Sequence, residues 1–148
     1  MDEYARAAAD LKAVLRGLST EEYLAVMDAE TNDEDCRSAK SIMNHVVRSA
    51  YGYSLYVREA LGMETHPRET DYGLTEPEIA CAKLDAALAH TETTFAGRWD
   101  MSGKALAAVR FTVSWGVTYD SEQMIEHAIV HILRHRRQIE RFFPGKWS

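Results

Sequence analysis

Cysteine is scarce in this chain: Cys36 and Cys81 are its only two, and they form no CxxC or zinc-ribbon spacing. A disulfide scaffold and a cysteine-held structural zinc are therefore not expected, and two isolated thiols fit a reducing compartment. No apolar run approaches the roughly 20 residues that a membrane span needs. Positive charge is also short. Seventeen Lys and Arg stand against 23 Asp and Glu, a formal charge of −6, so general affinity for nucleic acid or an anionic membrane surface is not expected. The start, Met1-Asp-Glu-Tyr4, is acidic and leads into an amphipathic segment. It lacks the basic-then-apolar order of a secretion signal, and the expected location is cytoplasmic. There is no internal repeat, low-complexity tract, linker or glycine-rich phosphate loop. The 148 residues read as one domain, 1–148, long enough to bury about two-thirds of the unfolded surface.

What is present is helical periodicity. Tyr4, Ala8, Leu11, Leu15 and Leu18 share one side of a first helix over residues 3–17. Ser19 and Glu22 form a capping box that opens a short helical piece through Met27, and 31–35 is a polar break. A long helix follows from about Ser38 to Leu61, stopped by Gly62, with Ile42, Val46, Ser49/Ala50, Tyr53, Val57 and Ala60 facing inward. After a loop over 62–74, Thr75 and Glu78 suggest a second capping box, with Pro77 in the first turn. That helix runs to about Gly97 and offers Ile79, Leu84, Ala87, Leu88 and Phe95 for burial. Residues 98–119 differ: Val109, Phe111, Val113, Trp115 and Val117 alternate with more polar or smaller residues, the period of an extended chain. An extended connection or a small hairpin is expected there. Asp120 and Gln123 then cap a last helix that Pro144 and Gly145 terminate. The expected class is all-α, with four main helices.

The last helix carries His127, His131 and His135 at spacings of four, one turn apart on nearly one face. At about 100° per residue, His131 and His135 fall inside the apolar arc marked by Met124, Ala128 and Ile139, while His127 lies at its border. On the second long helix His45 sits beside the inward stripe. One and two turns on are the small residues Ser49 and Gly52, which leave a gap next to it. Imidazoles from facing helices suit Zn, Ni, Fe or Cu, and three of them leave coordination open for a water or a thiolate. Gln138, one turn beyond His135, is placed for a supporting hydrogen bond. Other metal patterns fail. Ala128 and Ile132 occupy the position where a zincin needs its glutamate, and the paired Glu-x-x-His motifs of a di-iron bundle are missing. The bland alternative is that these histidines are packing residues. His66 and His90 read as surface residues, and Tyr51, Tyr53 and Tyr56 as core packing near His45. No carboxylate is placed against the histidines by spacing, so no acid–base residue is named.

With His45 in a long second helix and His131-Ile-Leu-Arg-His135-Arg-Arg-Gln138 in the last, preceded by Ser-Trp-Gly and a capping segment, the chain resembles the DinB/YfiT-like (damage-inducible DinB-like) family. The family's usual His-Arg-Gly-Gln ending reads His-Arg-Arg-Gln here, with Arg137 in place of glycine. The resemblance implies a four-helix bundle with a long crossover, often a homodimer. It also implies a divalent metal, commonly zinc or nickel, on His45, His131 and His135. Relatives of this kind include thiol-dependent S-transferases and isomerases and metal-dependent hydrolases. Two expectations follow. One is a metal-dependent enzyme that activates a low-molecular-weight thiol or water toward a small-molecule substrate. The other is a non-catalytic metal-binding stress-response module.

Overall fold

Helix boundaries in this chain are set by short polar signals. In the computed structural model, which describes residues 1–99 and 101–147, the order is α1 (Asp2–Arg16), α2 (Thr20–Leu24), a 3-10 turn (Glu34–Cys36), α3 (Ala39–Ala60), α4 (Pro77–Phe95), α5 (Gly103–Ala108), β1 (Arg110–Thr112), β2 (Thr118–Asp120) and α6 (Ser121–Phe142). Ser19 with Glu22, Ser38 with Ser41, and Asp120 with Gln123 form reciprocal capping boxes at the starts of α2, α3 and α6. Each box supplies partners to otherwise orphaned helix-start N–H groups. At the far end of α3, Gly62 takes φ +66. The Gly62 and Met63 amides bond back to the carbonyls of Glu59 and Arg58 at 3.1 and 2.9 Å, a complete Schellman stop.

The expected box at Thr75 does not form. Helix α4 starts one residue later, with Pro77 in its first position and Glu76 as an N-cap without a side-chain bond. Ile79 would then be the third helical residue, and it has no group to reach back. Helix α2 ends at Leu24 rather than Met27, because Ala25 turns extended. Residues 98–119 contain the expected hairpin, Arg110 opposite Asp120 and Thr112 opposite Thr118. They also hold α5, capped by Ser102 through the Ala105 amide. The Ala-Leu-Ala-Ala run there has high helix propensity, which the alternation that begins at Val109 obscures.

The protein is mostly helical. The four long helices pack in a circuit, α1 on α6, α6 on α3, α3 on α4 and α4 on α1, and one apolar cluster runs through all of them. Tyr4 and Leu11 of α1, Ile42 and Val46 of α3, Leu84 of α4, and Met124, Ile132 and Ile139 of α6 are almost fully buried. Ala60 and Ile79, expected inside, are exposed, and Cys81 and Ala80 take the buried positions on α4. The α3–α4 seam also carries polar contacts. Ser54 Oγ and Thr91 Oγ1 pair at 2.7 Å in full burial, and Arg58 donates to Thr94 and Thr93, each at 2.8 Å. The 61–76 loop is held to α3 through Asn44, which donates to the Thr70 carbonyl and accepts from the Tyr72 amide, both at 3.0 Å. Among the described residues no helix is long and apolar enough to cross a membrane.

Candidate metal centre

Rotation of α6 about its own axis decides where its histidines point. Met124, Ala128, Ile132 and Ile139, each no more than 1% exposed, fix that rotation by burial. His131 and His135 then face α3, which supplies His45. The three Nε2 atoms converge: His45 Nε2 lies 3.0 Å from His131 Nε2, which lies 3.2 Å from His135 Nε2. The ligand atoms of all three residues fall within 4.8 Å of one another. His127 stands aside at the border. Its Nδ1 is 3.4 Å from the Tyr119 hydroxyl and its ring lies against Trp115.

The partners of the outer nitrogens favour one tautomer. His45 Nδ1 lies 3.1 Å from Asp35 Oδ2, a carboxylate that Arg48 also contacts. His135 Nδ1 lies 3.0 Å from Gln138 Oε1. Asp35 Oδ2 and Gln138 Oε1 are acceptors, which favours hydrogen on both Nδ1 atoms and turns the Nε2 lone pairs into the cluster, while Arg48 Nη2 also lies 3.4 Å from His45 Nδ1. Three nitrogens crowded this way form a group able to hold a shared cation. A proton serves poorly: burial, and then the neighbouring His135 and His45, push His131 down from 6.5 to about 2. Burial also lowers His135, against the Gln138 bond that raises it, and burial alone lowers His127. A set of three imidazoles in which His131 and His135 resist protonation, steadied from outside by a carboxylate and an amide, suits a borderline divalent ion.

Asp35 is the residue that spacing did not reveal. It comes from a segment read only as a polar break, and local bonds build it. Asp28 accepts from the Thr31 amide, Thr31 from the Asp33 amide, and Asp33 from the Asp35 amide, at 3.0, 3.2 and 3.1 Å. The amides of Met27 and Asp28 close the loop on the Arg37 carbonyl. The same segment brings Cys36 beside the centre. Its thiol reaches Gln138 Oε1 at 3.7 Å and Asp33 Oδ2 at 3.3 Å, and burial raises its pKa, so the resting group is a thiol. Of the tyrosines, Tyr53 meets His131 and His127 edge-on, at 5.6 and 5.3 Å between centroids. Tyr51 stacks on Tyr72 and touches His90, whose partial burial lowers its pKa. His90 is thus not the free surface residue that the sequence suggested.

The cluster is open to solvent. A cleft of about 510 Å³ lies over it, lined by the histidines together with Asp33, Cys36, Gln138, Arg134 and Arg141. It has room for a ligand beside an ion, and the two arginines give its mouth a positive character. Comparison with protein-family models, with curated proteins and with solved structures finds no match to this chain.

Proposed function

We propose that the chain is a divalent-metal-dependent enzyme with a DinB/YfiT-like four-helix-bundle fold, in which His45, His131 and His135 hold the ion. Three imidazoles suit Zn, Ni, Fe or Cu, and of these the DinB/YfiT-like resemblance points to zinc or nickel. The observation that carries this reading is the convergence of the three Nε2 atoms beneath an open cleft. When bound, such an ion supplies Lewis acidity toward a thiol or a water in that cleft. The chain's own residues do the rest. Asp35 and Gln138 orient two of the imidazoles, burial disfavours protonation of His131 and His135, and Arg134 and Arg141 attract an anionic cosubstrate such as an acidic low-molecular-weight thiol. The reaction class is thiol S-transfer or hydrolysis of a small substrate.

A non-catalytic metal-binding stress-response module is the second reading. A sealed site would favour it, and the cleft of about 510 Å³ favours the enzyme instead. The test is metal content by plasma mass spectrometry on tag-free protein, with His45→Ala and His131→Ala in parallel, followed by thiol-dependent conjugation and ester-hydrolysis panels. Near-stoichiometric metal in the wild type, lost in both variants, is expected, with turnover in one of the panels. A wild type that takes up neither zinc nor nickel ends both readings, and a metal-loaded protein inert toward every panel leaves the second.

A further inference from the structure

On the hairpin side of His45 lies a second, smaller cavity of about 250 Å³, lined by His45, Gly52, Tyr53, Tyr56, Arg68 and Trp115 among others. Its walls are aromatic. Trp115, at the tip of the hairpin, meets Tyr53 and Tyr56 edge-on at 6.5 and 6.2 Å. The tip is pinned where it stands, because the Ser114 amide donates to the Tyr56 hydroxyl at 3.0 Å. Even with the His127 ring stacked against it, Trp115 remains 48% exposed, a large apolar surface held against the opening. A flat apolar group entering the cavity would cover that face and present its own edge or face to the rings.

The remaining wall is charged. The loop that Asn44 ties to α3 carries Arg68 back over the helix at Gly52. A Cβ built on Gly52 would run into Arg68 Nη1, the far end of a flexible side chain, so the guanidinium lies in space that the missing side chain leaves open. Among the described residues no carboxylate pairs with Arg68. A planar guanidinium without a partner, at the rim of an aromatic cavity, matches the two oxygens of a carboxylate. An aromatic box alone would also suit a quaternary ammonium ion, but Arg68 puts like charge beside it. The volume lies below the range of roughly 300–1,000 Å³ usual for drug-sized ligands, which points to a single ring or an equally short conjugated chain.

We propose that this cavity is the acceptor subsite beside the metal centre and takes a small planar carboxylic acid, with its apolar body between Tyr53, Tyr56 and Trp115 and its carboxylate on Arg68. The assignment as a substrate subsite rests on the metal-enzyme reading. Binding itself does not, so it is tested first on metal-stripped protein, where no ion can ligate a carboxylate directly.

The indole N–H resonance of Trp115 is followed by NMR while stripped protein is titrated with benzoate, benzyl alcohol and tetramethylammonium. Benzoate is expected to shift that resonance saturably, with the other two probes at least tenfold weaker. Arg68→Ala should weaken benzoate at least tenfold. Gly52→Ala should do the same, because the new methyl displaces the flexible end of Arg68, and its Tm should not fall. Equal binding of benzyl alcohol, a preference for tetramethylammonium, or unchanged benzoate affinity in Gly52→Ala would overturn the proposal. Zinc uptake by the same stripped preparations, measured separately after zinc is added back, separates the two claims. If zinc binds and benzoate does not move Trp115, the subsite falls and the metal centre stands. If benzoate binds through Arg68 and no zinc is taken up, the acid-binding cavity stands and its role beside a metal falls.

Discussion

Asp35 Oδ2 and His45 Nδ1 lie 3.1 Å apart, joining a 3-10 turn to the middle of the bundle. The contact favours hydrogen on His45 Nδ1 and makes its inner nitrogen a better donor. Outer-shell partners of this kind typically change metal affinity by about 10–100-fold. Asp35→Ala is expected to weaken zinc binding within that range while the fold stays intact, read by competition with a chromophoric chelator and by circular dichroism. Wild-type affinity in the variant would mean that the carboxylate serves only Arg48.

Gln138 plays the matching part for His135. Replacement by leucine keeps much of the volume and removes the acceptor 3.0 Å from Nδ1. About a tenfold loss of zinc affinity is expected. The Cys36 thiol loses one of its two acceptors as well, so its alkylation rate reports whether the side chain has been released. A variant that binds zinc as the wild type does would remove Gln138 from the site.

The metal-free protein should lose stability in acid through the same histidines. His131 is pushed down from 6.5 to about 2 in the folded state, so below pH 6.5 the unfolded chain takes up a proton that the folded chain refuses. Stability from this source is complete above pH 6.5 and falls as pH drops toward the folded value. The slope approaches about 1.4 kcal/mol per pH unit for one such group. Urea unfolding in EDTA at pH 7.5, 6.5 and 5.5 should show the fall, and His131→Gln should flatten it. An equal slope in the two proteins would assign the acid sensitivity to other groups.

Gly62→Ala isolates the stop of α3. A Cβ there meets nothing within 4 Å, yet φ is +66, so the cost is backbone strain alone, about 1–2 kcal/mol. Denaturant midpoints measure it, and no loss would show that the loop relaxes into another turn.

Much of this architecture could be read from local pattern. The α3 and α6 ends follow from caps a few residues long, and the inward pair His131 and His135 follows from the periodicity of Met124, Ala128 and Ile139. That His45 belonged with them was inferred from its place beside the stripe of α3, and the packing of α3 on α6 is what brings it there. Asp35, Cys36, Arg68 and Trp115 were not legible as a group. They reach the centre from loops and a hairpin tip, and Cys36 and Gln138 meet across 102 positions of chain. No periodicity records such a meeting. Helix α5 was missed because six residues give too few turns to show a face.

The hydroxyl pair Ser54 and Thr91 bears on the metal centre although it lies about 13 Å along α3 from His45, at 1.5 Å per residue. A seam made only of alkyl groups would tolerate α3 sliding against α4, trading one set of methyl contacts for another. Two buried hydroxyls that bond each other resist it, since a shift costs that shared bond and leaves each only the carbonyl of its own helix, Ala50 and Ala87. They act as a detent: a slip of one turn, about 5.4 Å, would carry His45 out of reach of His131. Two small alcohols in the α3–α4 seam thus hold the helix register on which the meeting of His45 and His131 depends.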